Sequence, residues 1–252
     1  MEEVFKKVRP EIINHHAAQI DVRKSVEDPE FDARVNILGS LRLLELAVKY
    51  KVAKFIFASS GGAIYGEGEK RRLPFKETDP FLPLSPYGVS KLMVEKYLAL
   101  YKRIYTLSYT VLRYGNVYGP RQDPSGEAGV VAIFIRAILS SKRPTIYGSG
   151  DQLRDYVFIE DVVKVNELAL TRGEGKSFNV GTSYGGSVNE IFRHLKSLLQ
   201  FPSEPFYGPR RTGEIEKVYL DTTLIQKELG WKAKYDLKKG LEKTAAYFKD
   251  SC

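Results

Sequence analysis

The sequence predicts an α/β protein built on a parallel Rossmann-type sheet, with a smaller α+β lobe toward the C-terminus. Three observations carry this reading. Short apolar runs rich in Phe, Ile and Val alternate with longer segments whose apolar residues recur at helical spacing, the pattern of βαβ units. After "GPRQDP" that alternation gives way to loops and shorter elements. The 252-residue chain, 43 % hydrophobic and 12 % aromatic, can bury a core of this size.

The elements follow in order. "MEEVFKKV" places Val4, Phe5 and Val8 on one helical face, and Pro10 ends the helix. "EIINHHAA" reads as a short buried strand. "FDARVNILGSLRLLELAVKY" has apolar residues at helical spacing (Val35, Leu38, Leu41, Leu44 and Val48) and reads as a helix. "KFIFASS" is a buried strand, "PYGVSKLMVEKYLALYKRIY" a long helix, and "SYTVLRYGNVYG" a strand entering a turn. Pro120, Pro124, Gly126 and Gly129 mark a loop. "VVAIFIRAIL" is a helix, "RPTIYGSGDQLRDYVFI" is turn-rich, "EDVVKVNELALT" is a helix and "SFNVG" a strand. Ser187 with Glu190 three later forms a capping-box pattern. This divides the chain into a sheet domain, 1–115 with 156–182, and a smaller lobe, 116–155 with 183–252. The sequence has no internal repeat.

Composition narrows the function classes. No apolar run approaches the roughly 18 residues of a membrane span, and the charged start has no apolar signal core. The single cysteine, Cys252, rules out a disulfide framework within the chain and suits a cytoplasmic setting. The net charge of +8 favours anionic partners, either through a lysine-rich surface alone or through a phosphate-bearing substrate. No zinc-finger spacing or basic heptad run points to nucleic acid. His15 and His16 are adjacent on a strand, so they point to opposite faces and do not form a metal pair. His194 reads as a helix-surface residue.

The chemistry centres on "SPYGVSK". On a helix, Tyr87 and Lys91 share one face, and Pro86 is suited to the first turn. A free tyrosine has a pKa of about 10, and a fixed ammonium nearby favours the phenolate. The pair is thus a candidate general acid/base. The spacing alone is common, and Tyr101 and Tyr105 on the same helix read as packing residues. "FIFASSGGAIYG" ends a strand in Ser59 and Ser60, and "LRYGNVYGPR" ends another with Asn116 and Arg121. Ligands of parallel sheets bind at such carboxyl ends.

With "HHAAQIDVRKSVEDP", "NILGSLRLLELA", "SSGGAIYGE", "SPYGVSKLMVEKY", "LRYGNVYGPRQ", "RDYVFIEDV", "FNVGTS", "RRTGE" and "LGWKAKYDLKKGL" in this order, the chain resembles the extended short-chain dehydrogenase/reductase family. Within it, the chain resembles the UDP-glucose 4-epimerases. The resemblance implies NAD as cofactor, a UDP-sugar as substrate, and epimerisation at C4 through a transient 4-keto sugar. Tyr87 would be the acid/base, and Lys91 would hold the nicotinamide ribose. Ser60, or Ser59, would hold the sugar hydroxyl. Ala17, Ala18, Asn36 and Tyr114 would line the NAD site. Asn116 would contact the nucleotide-sugar and Tyr147 the uracil, while Arg154 and Arg211 would clamp the diphosphate. Glu214 stands where the family usually carries Asp. Dehydratases of the family place Asp-Glu after the strand-end Ser/Thr, and "SSGGAIYG" has no carboxylate. Val218 would widen the sugar pocket for N-acetylated sugars. A homodimer through the two long helices, including Met93 and Tyr97, is also implied, with no nucleic-acid or membrane partner.

The family's glycine-rich turn is not present ahead of the first strand, and the sequence begins on a helix. The expectation is an N-terminally truncated sheet: either a piece of a full enzyme, or a short relative with weak NAD binding and an open sheet edge.

Overall fold

A computed structural model describes residues 1–68, 71–124, 129–210 and 215–250. The first half runs α1 (Glu2–Val8), β1 (Ile12–His15), α2 (Val22–Glu27), α3 (Pro29–Ala33), a π-helical turn (Arg34–Leu38), α4 (Gly39–Lys49), β2 (Lys54–Ser60), α5 (Gly61–Ile64), α6 (Pro86–Tyr105), β3 (Ser108–Tyr114) and β4 (Asn116–Tyr118). The second half runs α7 (Val130–Leu139), β5 (Thr145–Tyr147), β6 (Leu153–Phe158), α8 (Ile159–Ala169), β7 (Lys176–Val180), β8 (Gly185–Ser187), α9 (Val188–Leu198), β9 (Phe206–Gly208), β10 (Lys217–Val218), α10 (Thr223–Leu229) and α11 (Leu237–Asp250). Among the described residues, no helix is long and apolar enough to cross a membrane.

The main sheet is parallel, in the order β1-β2-β3-β7. Its strands are apolar because both faces are covered. Phe55 and Phe57 of β2 pack with Leu44, Leu98 and Val111, while Ile56 and Ala58 pack on the other face with Leu112, Val165 and Phe178. α10 and Trp231 join this second face, carrying the C-terminal segment back to the main sheet.

Gly115 separates β3 from β4 and moves the chain into a second sheet, β10-β6-β4, to which β8 adds antiparallel. A β-carbon on Gly115 would lie 2.5 Å from the Asp155 carbonyl oxygen, so only glycine permits this crossing. Beneath it, the buried Asp155 carboxylate accepts from Thr182 N (2.7 Å), Thr182 Oγ1 (2.8 Å) and Leu220 N (3.2 Å). That one side chain ties β6 to the segments after β7 and β10. The lobe core gathers Val131, Phe134, Ile135 and Ile138 from one stripe of α7 against Ile191, Leu195 and Leu241.

Several sequence expectations need correction. Val4 and Val8 are exposed, and only Phe5 of α1 is buried. The helix has barely two turns and presents one contact point to the sheet. Val35 and Leu38 are also exposed. The wide π turn inserts an extra residue ahead of α4, so a 3.6-residue period drawn through Val35 and Leu38 to Leu44 points them the wrong way. The stretch read as turn-rich contains β5 and β6. Ser187 caps α9 by accepting from Glu190 N (3.0 Å), but the Glu190 carboxylate turns to the Tyr184 hydroxyl instead of completing the box.

Candidate active site

The long helix α6 begins where its sequence says it should. Ser85 Oγ accepts from Gly88 N (3.2 Å) and Pro86 occupies the first turn. Gly88 lets this end close on α5, since a β-carbon there would lie 2.6 Å from the Ala63 carbonyl oxygen. The result aims one helical face at the carboxyl end of β2. Lys91 is buried there, its Nζ donating to the Ala58 carbonyl (2.9 Å) and lying 5.8 Å from the Tyr87 ring centroid. The Ser60 side chain neighbours the Tyr87 hydroxyl and favours its ionised form.

The two serines separate by partner. Ser60 turns to Tyr87, whereas Ser59 is buried and donates to Glu95 Oε1 at 2.5 Å. A β-carbon placed on Gly62 would lie 3.4 Å from Asn116 Oδ1 and 4.0 Å from Ser60 Oγ. Asn116 and Ser60 therefore border one spot beside Tyr87.

The electrostatics correct the expected tyrosine shift. Burial pushes the Tyr87 phenol up to about 12, with Ser60 pulling against it and the Asp32 charge adding to it. Burial brings the Lys91 ammonium down to about 8, with Asp32 opposing. Desolvation dominates at this position, and it keeps Tyr87 a neutral phenol at pH 7.

The loop after β1 forms the adjoining wall. Asn36 does not offer its amide to this space. Asn36 Nδ2 donates to the Gln19 carbonyl (3.0 Å), Asp32 Oδ1 (3.0 Å) and Ser90 Oγ (3.3 Å), and Asn36 Oδ1 accepts from Gln19 N (2.9 Å). It clamps the loop holding Ala17 and Ala18 to α6, one residue from Lys91. Ser25 Oγ adds a second clamp by accepting from Tyr87 N (3.2 Å). Tyr114 is buried, its hydroxyl accepting from Asn166 Nδ2 (2.8 Å) and its ring stacked on His16. His15 points inward, as expected of adjacent strand residues. Its Nε2 lies 3.0 Å from Ser40 Oγ, and burial holds its pKa down at about 4.

The remaining expected residues lie on the smaller lobe. Arg154 is half-buried on β6 with Nη1 donating to the Leu153 (2.9 Å) and Glu216 (3.3 Å) carbonyls. Tyr147 is exposed on β5, paired with Gly208 of β9. Val218 is only 1 % exposed, packed with Ile64, Tyr65, Phe75 and Leu92. Met93 and Tyr97 are half-buried on α6, and His194 is on the surface of α9 facing Glu190. Arg211 and Glu214 lie outside the described residues.

The sequence reading missed Glu95, Arg113, Asp32 and Gln19. Glu95 was accessible, because it extends the Tyr87–Lys91 spacing by another four residues onto the same face. Arg113 inside an apolar strand likewise signals a buried anionic partner.

The site suits a nucleotide cofactor on its own chemistry. A lysine ammonium carries three donors, and among the described residues Lys91 spends one, on Ala58. The others are available to ligand hydroxyls.

A family model described as the NAD dependent epimerase/dehydratase family matches residues 1–181. The chain belongs to this family. It is 46 % identical over 247 residues to a putative UDP-glucose 4-epimerase of Methanocaldococcus jannaschii, covering 98 % of this chain and 79 % of that one. The crystal structure of a Thermotoga maritima UDP-glucose 4-epimerase with UDP-glucose superimposes with a TM-score of 0.97 at 49 % identity, covering 99 % of this chain and 81 % of that one. A Thermus thermophilus UDP-glucose 4-epimerase in complex with NAD gives 0.93 at 42 % identity, covering 100 % and 81 %. Family membership, the Rossmann-type sheet and an NAD-linked epimerase chemistry thus agree with the site's position at the carboxyl ends of the strands.

Proposed function

We propose that this chain interconverts the C4 epimers of a UDP-hexose of the UDP-glucose and UDP-galactose type, with NAD as its cofactor. The observation that carries this reading is the buried Lys91 ammonium 5.8 Å from the Tyr87 ring centroid at the carboxyl end of β2, with Ser60 beside the phenol and no carboxylate at Gly61 or Gly62. A dehydration needs an acid and a base for water loss, and these two positions supply neither.

Tyr87 exchanges a proton with the sugar 4-hydroxyl, and Ser60 orients that hydroxyl toward it. Lys91 holds ribose hydroxyls and brings positive charge to the phenol, favouring its ionised form once the site is filled. NAD, when bound, supplies the hydride acceptor and donor for C4. Ala17, Ala18 and Tyr114 border the cofactor, and Asn36 acts through the loop that it clamps. Asn116 meets the sugar and Tyr147 the uracil. Arg154, Arg211 and Glu214 serve the diphosphate and nucleoside, where a guanidinium fork matches phosphate oxygens. Val218, buried among Ile64, Tyr65, Phe75 and Leu92, is a packing residue and not the wall of a widened sugar pocket. We read the protein as a cytoplasmic homodimer, joined on the face where Val89, Leu100 and Ile104 of α6 and Leu38 are exposed.

The test is conversion of UDP-galactose to UDP-glucose followed by NMR, with and without added NAD. Conversion is expected, at a rate that added NAD raises or leaves saturated. Absence of conversion at saturating NAD, with the fold intact by circular dichroism, would refute the reading.

A further inference from the structure

We propose that the buried Glu95–Arg113 ion pair is a positioning device for Ser60, holding both ends of the strand-to-helix segment that carries it. This inference rests on the function proposed above, and it concerns residues that touch neither sugar nor cofactor.

The segment runs from Ser59 and Ser60, the last residues of β2, through the one-turn helix α5 to Tyr65. Each end is tied to one member of the pair. At the start, Ser59 Oγ donates to Glu95 Oε1 at 2.5 Å. At the end, Arg113 Nη1 donates to the Tyr65 hydroxyl at 2.9 Å, and that hydroxyl donates to Asn179 Oδ1 at 2.7 Å. Between the posts, Arg113 Nε donates to both Glu95 oxygens (3.1 Å each) and Nη2 to Oε2 (2.6 Å). Ser59 is 4 % exposed and Glu95 6 %.

A buried ion pair is a poor source of stability, because desolvating two charges consumes most of the Coulomb gain. Its value here is directional. Glu95 is on α6, two turns beyond Tyr87, so one rigid helix carries both the phenol and the carboxylate that fixes Ser59. Ser60, the next residue, is thereby indexed to Tyr87. Asn179 locks the far post, donating through Nδ2 to the carbonyls of Phe75 (2.9 Å) and Asp221 (3.2 Å).

Truncating Glu95 would strand Arg113 and risks unfolding the protein, so the test removes each post instead. Ser59→Ala and Tyr65→Phe leave the ion pair in place. In protein labelled with 3-fluorotyrosine, the Tyr87 resonance is assigned by its loss in Tyr87→Phe, and its titration is followed by fluorine NMR. Ser60 pulls the Tyr87 pKa down, so loosening Ser60 moves the titration to higher pH. Ser59→Ala and Tyr65→Phe are each expected to shift it upward, in the direction given by Ser60→Ala. Ser59→Thr, which retains the hydroxyl, is expected to restore it. Turnover of UDP-galactose should fall about tenfold in kcat with KM nearly unchanged, the equivalent of about one hydrogen bond. A Tyr87 titration unchanged in both post variants, while Ser60→Ala moves it, would overturn the inference and leave the proposed function standing. An inactive wild type whose Tyr87 still shifts in the post variants would overturn the function and support the positioning role.

Discussion

The carboxyl end of the main sheet and the β5–β9 ribbon of the smaller lobe meet a ligand in opposite conditions. At the sheet end Lys91, Ser59, Glu95, Asn36 and Arg113 are buried and already bonded to one another or to backbone. On the ribbon, Tyr147, Phe206 and Tyr207 are exposed, with the Arg143 guanidinium 3.8 Å over the Phe206 ring. The first region is built before anything binds, which is what proton transfer at a fixed distance requires. Under the proposed function, the second offers aromatic faces and a basic neighbourhood for a flat, anionic ligand to complete. Substitutions at the sheet end should therefore act on stability, pH dependence and kcat, and those on the ribbon on KM.

The largest expected effect at the sheet end is Glu95→Ala. Leaving Arg113 buried without its partner should cost about 3–5 kcal/mol in denaturant unfolding. A loss below about 1 kcal/mol would show that the pair is dispensable to the built site.

Next comes acid sensitivity from His15, held neutral by burial with its pKa near 4. Between the ordinary histidine value and that lowered one, the unfolded chain binds a proton that the folded chain refuses. Stability should accordingly fall as pH drops through this window, by on the order of 3 kcal/mol from this residue. His15→Gln should flatten that limb in urea titrations at pH 6.5 and 4.

Lys91 sets the alkaline side. Its ammonium is present below about pH 8 and is lost as pH rises through that value. A carbon-13 NMR titration of lysine ε-carbons should show one resonance, absent in Lys91→Met, moving near pH 8, and kcat should decline over the same range. A Lys91 titrating with the surface lysines would contradict the burial argument.

On the ribbon, Tyr147→Ala should raise KM for the UDP-sugar several-fold, about 1 kcal/mol, at unchanged kcat. A kcat loss instead would erase the contrast between the two regions.

Much of this organisation was legible in the sequence, for physical reasons. α6 and α7 have clear starts and unbroken 3.6-residue stripes, and β2 and β3 are apolar because they are buried on both faces. The Tyr87–Lys91 face followed from helical geometry alone. The π turn at Arg34–Leu38 was not legible, since an inserted residue leaves no compositional mark and only turns Val35 and Leu38 outward. β5 and β6 were hidden because Gly148 and Gly150 punctuate the chain between them. The choice between Ser59 and Ser60 needed three dimensions, because it depends on Glu95 and Arg113, which are remote in sequence. So did the clamping role of Asn36, whose partner Gln19 is 17 residues away. The depressed phenol expected beside Lys91 failed because spacing says nothing about burial.

Under the proposed function, the Tyr87 phenol moves the proton of the sugar 4-hydroxyl. Single-turnover conversion of UDP-galactose by Tyr87→Phe, measured beside the wild type at equal UDP-sugar occupancy, tests this most directly. Binding should persist and turnover should drop about a thousandfold; an unchanged rate in that variant would contradict the proton-transfer role.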